Sequence, residues 1–201
     1  MEGLRERKKR ETQEAIAGVA MELFRERGFD AVTVADIARA ADVAEKTVFN
    51  HFPTKEDLIF VRADDLLAAQ VEEIRSRPPG TPLTTLFEAK TMRLLDQIDA
   101  GQMDRMRVVI GLVRESATLR GRLLVLFEHE ANEVTAALDA DDDVVAAVAI
   151  RALIGAHRTI FRAAMARLLT GEHPAKVTGE LRIETRRVYS RLERGLAGFG
   201  T

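Results

Sequence analysis

The sequence predicts an all-α protein of about nine helices. Apolar residues recur every three to four positions along most of the 201-residue chain, which is the spacing of one helix face. Only 5 Pro and 13 Gly interrupt this pattern, so long helices can form. No stretch alternates apolar and polar residues with β-branched enrichment, and no sheet is expected.

The composition excludes several classes of protein. With 46% apolar and 31% charged residues, the chain is core-forming and neither disordered nor collagen-like. The absence of Cys excludes disulfides, thiolate metal sites and Cys nucleophiles. Aromatic residues make up 5% and Trp is absent, which is low for a protein that stacks single-stranded bases.

The expected location is the cytoplasm, with no membrane partner. The N-terminal residues are charged and lack the apolar stretch of a signal peptide. The longest near-apolar run, Val144 to Ala156, is interrupted by Arg151. We expect it to be too short for a membrane span of about 20 residues.

Apolar spacing and cap residues predict the first four helices. Gly28 stops the first helix, and Thr33-Val34-Ala35-Asp36 resembles a capping box that starts the second. Pro53 and Thr54 start a long fourth helix, with acids in its first turn where the helix dipole favours them. The predicted ranges are 10–27, 34–40, 44–51 and 54–75.

Five more helices are predicted in the second part of the chain. Gly101, the Asp-rich segment from Asp139 to Asp143 and the segment 171–174 mark breaks between them. The predicted ranges are 82–100, 102–114, 118–138, 142–169 and 174–197.

The segment from Thr33 to Phe52 reads as a helix, a tight turn and a second helix. Ala38 and Ala41 are small where the two helices would approach closely. The spacing predicts that Ile37, Val43, Val48 and Phe52 are buried. The residues left exposed on the later helix are Glu45, Lys46, Thr47, Phe49, Asn50 and His51. A short helix that shows such donors suits the major groove of DNA.

At this point the chain resembles a known family, the TetR/AcrR repressors, in its N-terminal domain. The resemblance covers about residues 8–60, and the remainder is similar only in length and helical character. It is carried by Gly28-Phe29-Asp30, Thr33-Val34-Ala35-Asp36-Ile37-Ala38, Val43, Thr47-Val48-Phe49 and His51-Phe52-Pro53-Thr54-Lys55-Glu56-Asp57-Leu58.

The resemblance implies a homodimer that binds a palindromic double-stranded DNA operator. It implies a helix-turn-helix domain over residues 1–60 and a helical ligand-binding and dimerisation domain over 61–201. The expected function is a repressor released by a small hydrophobic or amphipathic inducer, without a cofactor. Two alternatives remain: a DNA-binding protein of the same fold controlled by a protein partner, and a helical adaptor that does not bind DNA.

Positions in the family pattern suggest roles for the DNA-binding residues. Thr33 and Lys55 would contact phosphates, as would Phe49 and His51. Glu45 either accepts a hydrogen bond from a cytosine amino group or repels wrong sites, and Phe49 is either DNA-facing or part of the core. The full predicted set is Arg5, Arg10, Thr33, Glu45, Lys46, Thr47, Phe49, Asn50, His51 and Lys55.

The sequence departs from the family pattern at the turn. Asp42 stands where Gly is common, and Asp tolerates a left-handed backbone better than most residues. Ala44 stands where Ser or Thr often caps the recognition helix, and a missing cap costs about 1 kcal/mol. Neither departure argues against DNA binding.

The charge of this region is local rather than general. Residues 1–62 hold 11 Lys or Arg against 12 Asp or Glu. Five basic residues lie between Arg5 and Arg10, and this segment is either a solvated tail or an arm that DNA orders. If a dimer neutralises roughly 6–8 phosphates, the logarithm of affinity should fall with the logarithm of salt at a slope of about −5 to −7.

The last two long helices are predicted to form the dimer interface as a four-helix bundle. The alternative is that their apolar faces are buried inside one monomer. The predicted interface residues are Val145, Ala149, Ala152, Leu153, Ala156, Ile160, Leu181, Val188 and Leu192.

A ligand pocket is predicted among the central helices, where Met residues would make it adaptable. The alternative is an ordinary core. His157 and Arg158 either orient a ligand or belong to the core or interface. The predicted ligand-binding residues are Phe87, Met92, Met103, Met106, Ile110, Phe127, His157 and Phe161.

No catalytic pattern emerges, so an enzyme is not expected. The di-iron motif Glu-x-x-His does not occur at any of the 4 His. The segment from His129 to Glu133 resembles a zinc-protease motif, but Glu133 replaces its second His. A P-loop, a dinucleotide glycine motif and a Gly-x-Ser-x-Gly elbow are also missing.

Overall fold

The structure is a computed structural model that describes residues 3–101, 103–140 and 142–195. Over these residues it contains nine α-helices and no strand, which confirms the predicted all-α class. The helices are α1 Leu4–Arg27, α2 Val34–Ala40, α3 Glu45–His51, α4 Ala63–Arg75, α5 Leu83–Asp99, α6 Asp104–Glu115, α7 Ala117–Ala136, α8 Val144–Leu169 and α9 Pro174–Gly195.

The prediction for the fourth helix is wrong at its start. The Asp57 carboxylate accepts the Thr54 N–H at 2.9 Å, and a short 3-10 helix follows over Glu56–Leu58. Leu58 and Ile59 are both buried in the core, so the chain turns here before α4 begins at Ala63.

The first helix is longer than predicted. It begins at Leu4, and the Glu6 carboxylate accepts the Gly3 N–H at 3.1 Å just before it. Residues 4–9 have no apolar stripe, but Leu, Arg, Glu and Lys all favour helix. The predicted end is confirmed, because Gly28 adopts a φ of 78° that other residues rarely take.

The described chain divides into two compact units. The first runs up to Asp64 and also takes in Val108–Leu124, and the second holds Asp65–Arg107 and the described residues from Val125 onward. This differs from the predicted division into 1–60 and 61–201, because the end of α6 and the start of α7 belong with the helix-turn-helix. The sequence does not predict this grouping, because Val108–Leu124 lies about 50 residues beyond the helix-turn-helix. Helical periodicity does not show which distant segments pack together.

The first unit, which we call the reading unit, has one apolar core around the helix-turn-helix. Ile37, Val48 and Phe52 are buried as predicted, whereas Val43 is only partly buried. The segment Val108–Leu124, which we call the added segment, contributes Val109, Leu112 and Leu119 to the same core. In the second unit, α5, α8 and α9 pack against one another.

Helix α8 is the main apolar element of the second unit. The Asp143 carboxylate caps it, accepting the N–H groups of Val145 at 2.8 Å and Ala146 at 3.0 Å. Its 26 residues include a window of mean hydropathy 1.6, so by length and composition it could cross a membrane. The expectation that this run is too short is therefore wrong, because the apolar pattern continues past Ala156 to Leu169. Helices buried in a protein core meet the same criterion.

Candidate functional site

The tight turn of the helix-turn-helix has the geometry predicted from Asp42. Its φ is 53°, in the left-handed region, and the Val43 N–H donates to the Ala38 carbonyl at 3.0 Å. Ala44 precedes α3 with no side-chain cap, as its residue type implies. The turn therefore sets the direction of α3 without a glycine.

Helix α3 presents a polar face to solvent. Glu45, Lys46 and Asn50 are exposed, and Thr47 is half-buried. Phe49 is 48% exposed, which excludes the core alternative within this chain. This face carries donors, an acceptor and an aromatic ring on a base of three packed helices, and such a face suits base readout in the major groove.

His51 is less exposed than its neighbours Phe49 and Asn50 on α3. It is half-buried, and its ring centroid lies 6.5 Å from that of Phe52. Its Nδ1 atom is buried without a hydrogen-bond partner in the described part of the chain. Only the remaining edge of the imidazole is left to meet a phosphate.

The start of α2 forms the predicted capping box. The Thr33 hydroxyl accepts the Asp36 N–H at 3.1 Å, and the Asp36 carboxylate accepts the Thr33 N–H at 3.1 Å and its hydroxyl proton at 2.8 Å. These bonds, with Arg27 and Arg39 nearby, lower the pKa of the Asp36 carboxyl. The predicted phosphate contact of Thr33 needs correction, because its hydroxyl proton is already donated inside the box.

Lys55 does not point to solvent as its predicted phosphate contact requires. Its ammonium donates to the carbonyls of Phe29 and Val32, each at 3.0 Å, and lies 4.2 Å from the centre of the Phe29 ring. It thereby ties the start of the 3-10 segment to the loop between α1 and α2. We correct its role to that of a structural tie within the reading unit.

The basic N-terminal segment is helical rather than an extended tail or arm. Arg10 is exposed on α1, and Arg7 pairs with Glu11 at 3.6 Å. The side chain of Arg5 lies outside the described residues. A DNA contact from this segment would therefore come from the start of a helix.

Two polar contacts that the sequence did not reveal join the added segment to the reading unit. The Ser116 hydroxyl donates to the Asp30 carboxylate at 2.9 Å, and the Arg122 guanidinium donates to Asp57 at 2.8 Å. The Asp57 carboxylate also accepts the Thr54 N–H. The added segment therefore contacts the loop before α2, through Asp30, and the stretch after α3, through Asp57.

The predicted ligand-binding residues are divided between the two units. Ile110 belongs to the first unit and the other seven to the second, while Met106 is 37% exposed. Phe87 and Met103 are buried, and the others are partly buried. Two surface hollows, one along residues 139, 140 and 142–145 and one between α1 and the turn, include none of the eight.

Instead, the second unit contains a buried polar cluster around Thr91. Its hydroxyl oxygen lies 2.9 Å from His157 Nδ1 and 3.0 Å from the Tyr189 hydroxyl. Burial, and then the charge of Lys90, lower the pKa of His157 to about 3, so it is neutral at pH 7. Burial raises the pKa of Tyr189 to about 12. Of these residues, only His157 was predicted from the sequence as a site residue.

Four of the predicted dimer-interface residues are buried inside this chain, where a second copy cannot reach them. The remaining residues of the set are only partly buried, except Val145, which is 68% exposed. For the buried four, the alternative of burial within one monomer holds. They are Ala149, Leu153, Ile160 and Leu181.

No group of three or more His, Asp or Glu side chains among the described residues is placed to hold a metal ion. The His129–Glu133 segment lies on α7, with both side chains half-exposed and 3.9 Å apart. It is an exposed helix face in this structure.

Comparisons with known proteins agree with the geometry of the first unit. Residues 16–61 match the family of bacterial regulatory proteins described as the tetR family. The transcriptional regulator TcmR of Streptomyces glaucescens is 29% identical over 102 residues, covering 51% of this chain and 45% of TcmR. The chain thus spans about half the length of this relative. The predicted resemblance to the TetR/AcrR family is confirmed for this domain.

The fold over most of the chain is also similar to solved structures. NalD, the secondary repressor of a multidrug efflux pump in Pseudomonas aeruginosa, is 20% identical with a TM-score of 0.54, over 94% of this chain and 97% of NalD. SmeT in its triclosan complex is 16% identical with a TM-score of 0.59, over 92% of this chain and 90% of SmeT. At these identities the likeness concerns the fold.

Proposed function

We propose, on the premise that residues 16–61 are a DNA-binding domain of the tetR family of bacterial regulatory proteins, that this chain is a homodimeric transcriptional repressor. It binds a palindromic operator in the cytoplasm and leaves it when a small-molecule inducer binds. The observation that carries the proposal is the exposed polar face of α3 on its buried three-helix base. The repressor NalD, which shares the fold, supports the sign of regulation.

Release of the operator follows from thermodynamic linkage between DNA binding and inducer binding. The recognition helices of a dimer must lie about 34–36 Å apart, one turn of DNA, or a multiple of it. An inducer lowers DNA affinity only if it binds the incompetent arrangement better than the competent one. The chain passes between its two units three times, next to residues 64, 107 and 124, so these connections would carry the change.

The test of DNA binding is selection of bound duplexes from a random library with the purified protein. We expect a palindromic consensus, and an affinity that falls with salt at a slope of about −5 to −7. Lys46→Met should weaken binding and reduce the slope by about one. Lys55→Met should lower the melting temperature of the reading unit and leave the slope unchanged, because its ammonium is committed to Phe29 and Val32.

Lys176→Met is the matched control, since Lys176 is an exposed lysine of the second unit. It should leave both affinity and slope unchanged. No enrichment at low salt from a folded protein would contradict the proposal and favour the adaptor alternative. Equal slopes for wild type and Lys46→Met would contradict the placement of Lys46 on the DNA.

Three exposed valines on the first turns of α8 support the dimer. Val144, Val145 and Val148 are 76%, 68% and 62% exposed, and an apolar patch of this kind on a helix is typical of a subunit contact. Val145→Asp should shift the sedimentation coefficient from dimer to monomer and weaken operator binding, because a monomer holds only one half-site. Leu66→Asp is the control, since Leu66 is 62% exposed on α4. A dimer that survives Val145→Asp would remove α8 from the interface.

A further inference from the structure

The polar cluster of the second unit has a defined hydrogen-bond polarity. Thr91 Oγ1 lies 2.8 Å from the Phe87 carbonyl, which can only accept, so the hydroxyl proton is donated there. The two lone pairs of Thr91 Oγ1 then accept from His157 Nδ1–H and from the Tyr189 hydroxyl. The Thr91 hydroxyl, which is fully buried, is thereby saturated.

This arrangement determines which edge of His157 remains available. A neutral imidazole that donates through Nδ1 carries a lone pair on Nε2. Within the described part of the chain, His157 Nε2 has no hydrogen-bond partner. The cluster therefore offers one unused acceptor.

Gln70 offers an unused donor in the same unit. Its Oε1 accepts from the Lys90 ammonium, which can only donate, so the orientation of the amide is determined. The amide Nε2 is then directed away, buried and without a partner in the described residues. A buried N–H left unpaired is unfavourable, and such an atom calls for an explanation.

The positive charge of Lys90 is compensated by the Glu130 carboxylate. Lys90 Nζ also donates to the Glu130 carboxylate at 2.9 Å, and both side chains are largely buried. Lys90 lies close enough to His157 for its charge to act on the imidazole. The Arg158 guanidinium rests on the Phe127 ring, 3.1 Å from its centre. Lys90 of α5 thus links Gln70 of α4 to Glu130 of α7, and its charge also reaches His157 of α8.

We propose, on the basis of the inducer-controlled function above, that this cluster binds the polar end of an uncharged amphipathic ligand. That end carries both a hydrogen-bond donor, for His157 Nε2, and an oxygen acceptor, for Gln70 Nε2. A primary amide meets both requirements, whereas a carboxylate lacks the donor and an ammonium group lacks the acceptor. The apolar part of the ligand would lie against Phe127, which is only partly buried.

The chain contains a built-in reporter for this site. Tyr189 is the single tyrosine and there is no tryptophan, so tyrosine emission reports on the cluster alone. The probes are octanamide, octanoate and octylamine, which share an alkyl tail and do not absorb where tyrosine does. We expect octanamide to give a saturable change in emission and to raise the melting temperature, with at least tenfold weaker binding of the other two.

Gln70→Leu should weaken octanamide binding at least tenfold, because it removes the unpaired donor at similar volume. Gln97→Leu, at an exposed position on α5, is the matched control and should bind octanamide as the wild type does. Tighter binding of octanoate, which would point to Arg158, or of octylamine would overturn the proposal. So would unchanged binding by Gln70→Leu, or no binding of any probe.

DNA binding, measured in parallel, separates this inference from the proposed function. Specific DNA binding without any probe binding would overturn the inference alone. Octanamide binding with the expected variant pattern, but without specific DNA binding, would overturn the proposed function and keep the ligand class. Octanamide binding that leaves DNA affinity unchanged would remove only the release step.

Discussion

Phe52→Ala is expected to destabilise the reading unit by about 3–5 kcal/mol, the usual cost of removing a buried aromatic ring. Phe52 is 2% exposed, directly follows α3 and joins the core that also holds Phe24 and Ile37. Its backbone N–H bonds to the Val48 carbonyl at 2.8 Å, so the buried ring is attached directly at the last turn of α3. Because whole domains are stable by only about 5–15 kcal/mol, operator binding should be lost as the unit loosens.

Phe49→Ala is the matched control on the same helix. Phe49 is 48% exposed, so its removal should change stability by less than about 0.5 kcal/mol. It should nevertheless weaken operator binding, since the ring lies on the face assigned to DNA. Denaturant titration followed by circular dichroism measures the stability, and a fluorescent operator measures the affinity. Equal stability of the two variants would contradict the core assignment of Phe52.

The second large expected effect is a loss of folding stability at low pH, caused by His157. The pKa of His157 is lowered from 6.5 to about 3 in the folded chain, by burial first and then by Lys90. The unfolded chain therefore binds a proton more readily, and this contribution to stability is full above pH 6.5. It falls as the pH drops from 6.5 towards 3, by about 1.4 kcal/mol per pH unit within that window.

His157→Gln isolates this contribution from the other titrating groups. Between pH 7 and pH 5, the wild type should lose about 2 kcal/mol more unfolding free energy than the variant. Denaturant midpoints at half-unit pH intervals give the two curves. Parallel curves would contradict the burial of a neutral imidazole in the Thr91 cluster.

Local signals in the sequence predicted most helix ends correctly. The capping box at Thr33 and the stop at Gly28 depend on residues within one turn of each other, and both are confirmed. Asp42 likewise takes the left-handed conformation for which its residue type is suited. The start of α4 was missed because the burial of Leu58 and Ile59 overrides the cap-like residues before them.

The Thr91 cluster left only a weak trace in the sequence. Thr91 lies four residues after Phe87 and four before Leu95, on the buried face of α5, where a polar residue needs a partner. That pattern could have marked Thr91 itself. Its partners His157 and Tyr189 lie 66 and 98 residues away, and no helical periodicity predicts which of the polar residues meet.

The sequence by itself determined the all-helical class, the helix-turn-helix with its exposed face on α3, and the family that this domain resembles. These features depend on contacts within a few turns or on residue types at set spacings, which the chain order displays directly. Only the tertiary structure decided where Lys55 directs its charge, which apolar residues of α8 stay exposed, and which polar groups gather around Thr91. Those outcomes depend on which distant segments share a core, because burial selects the partners of each charge and hydrogen bond.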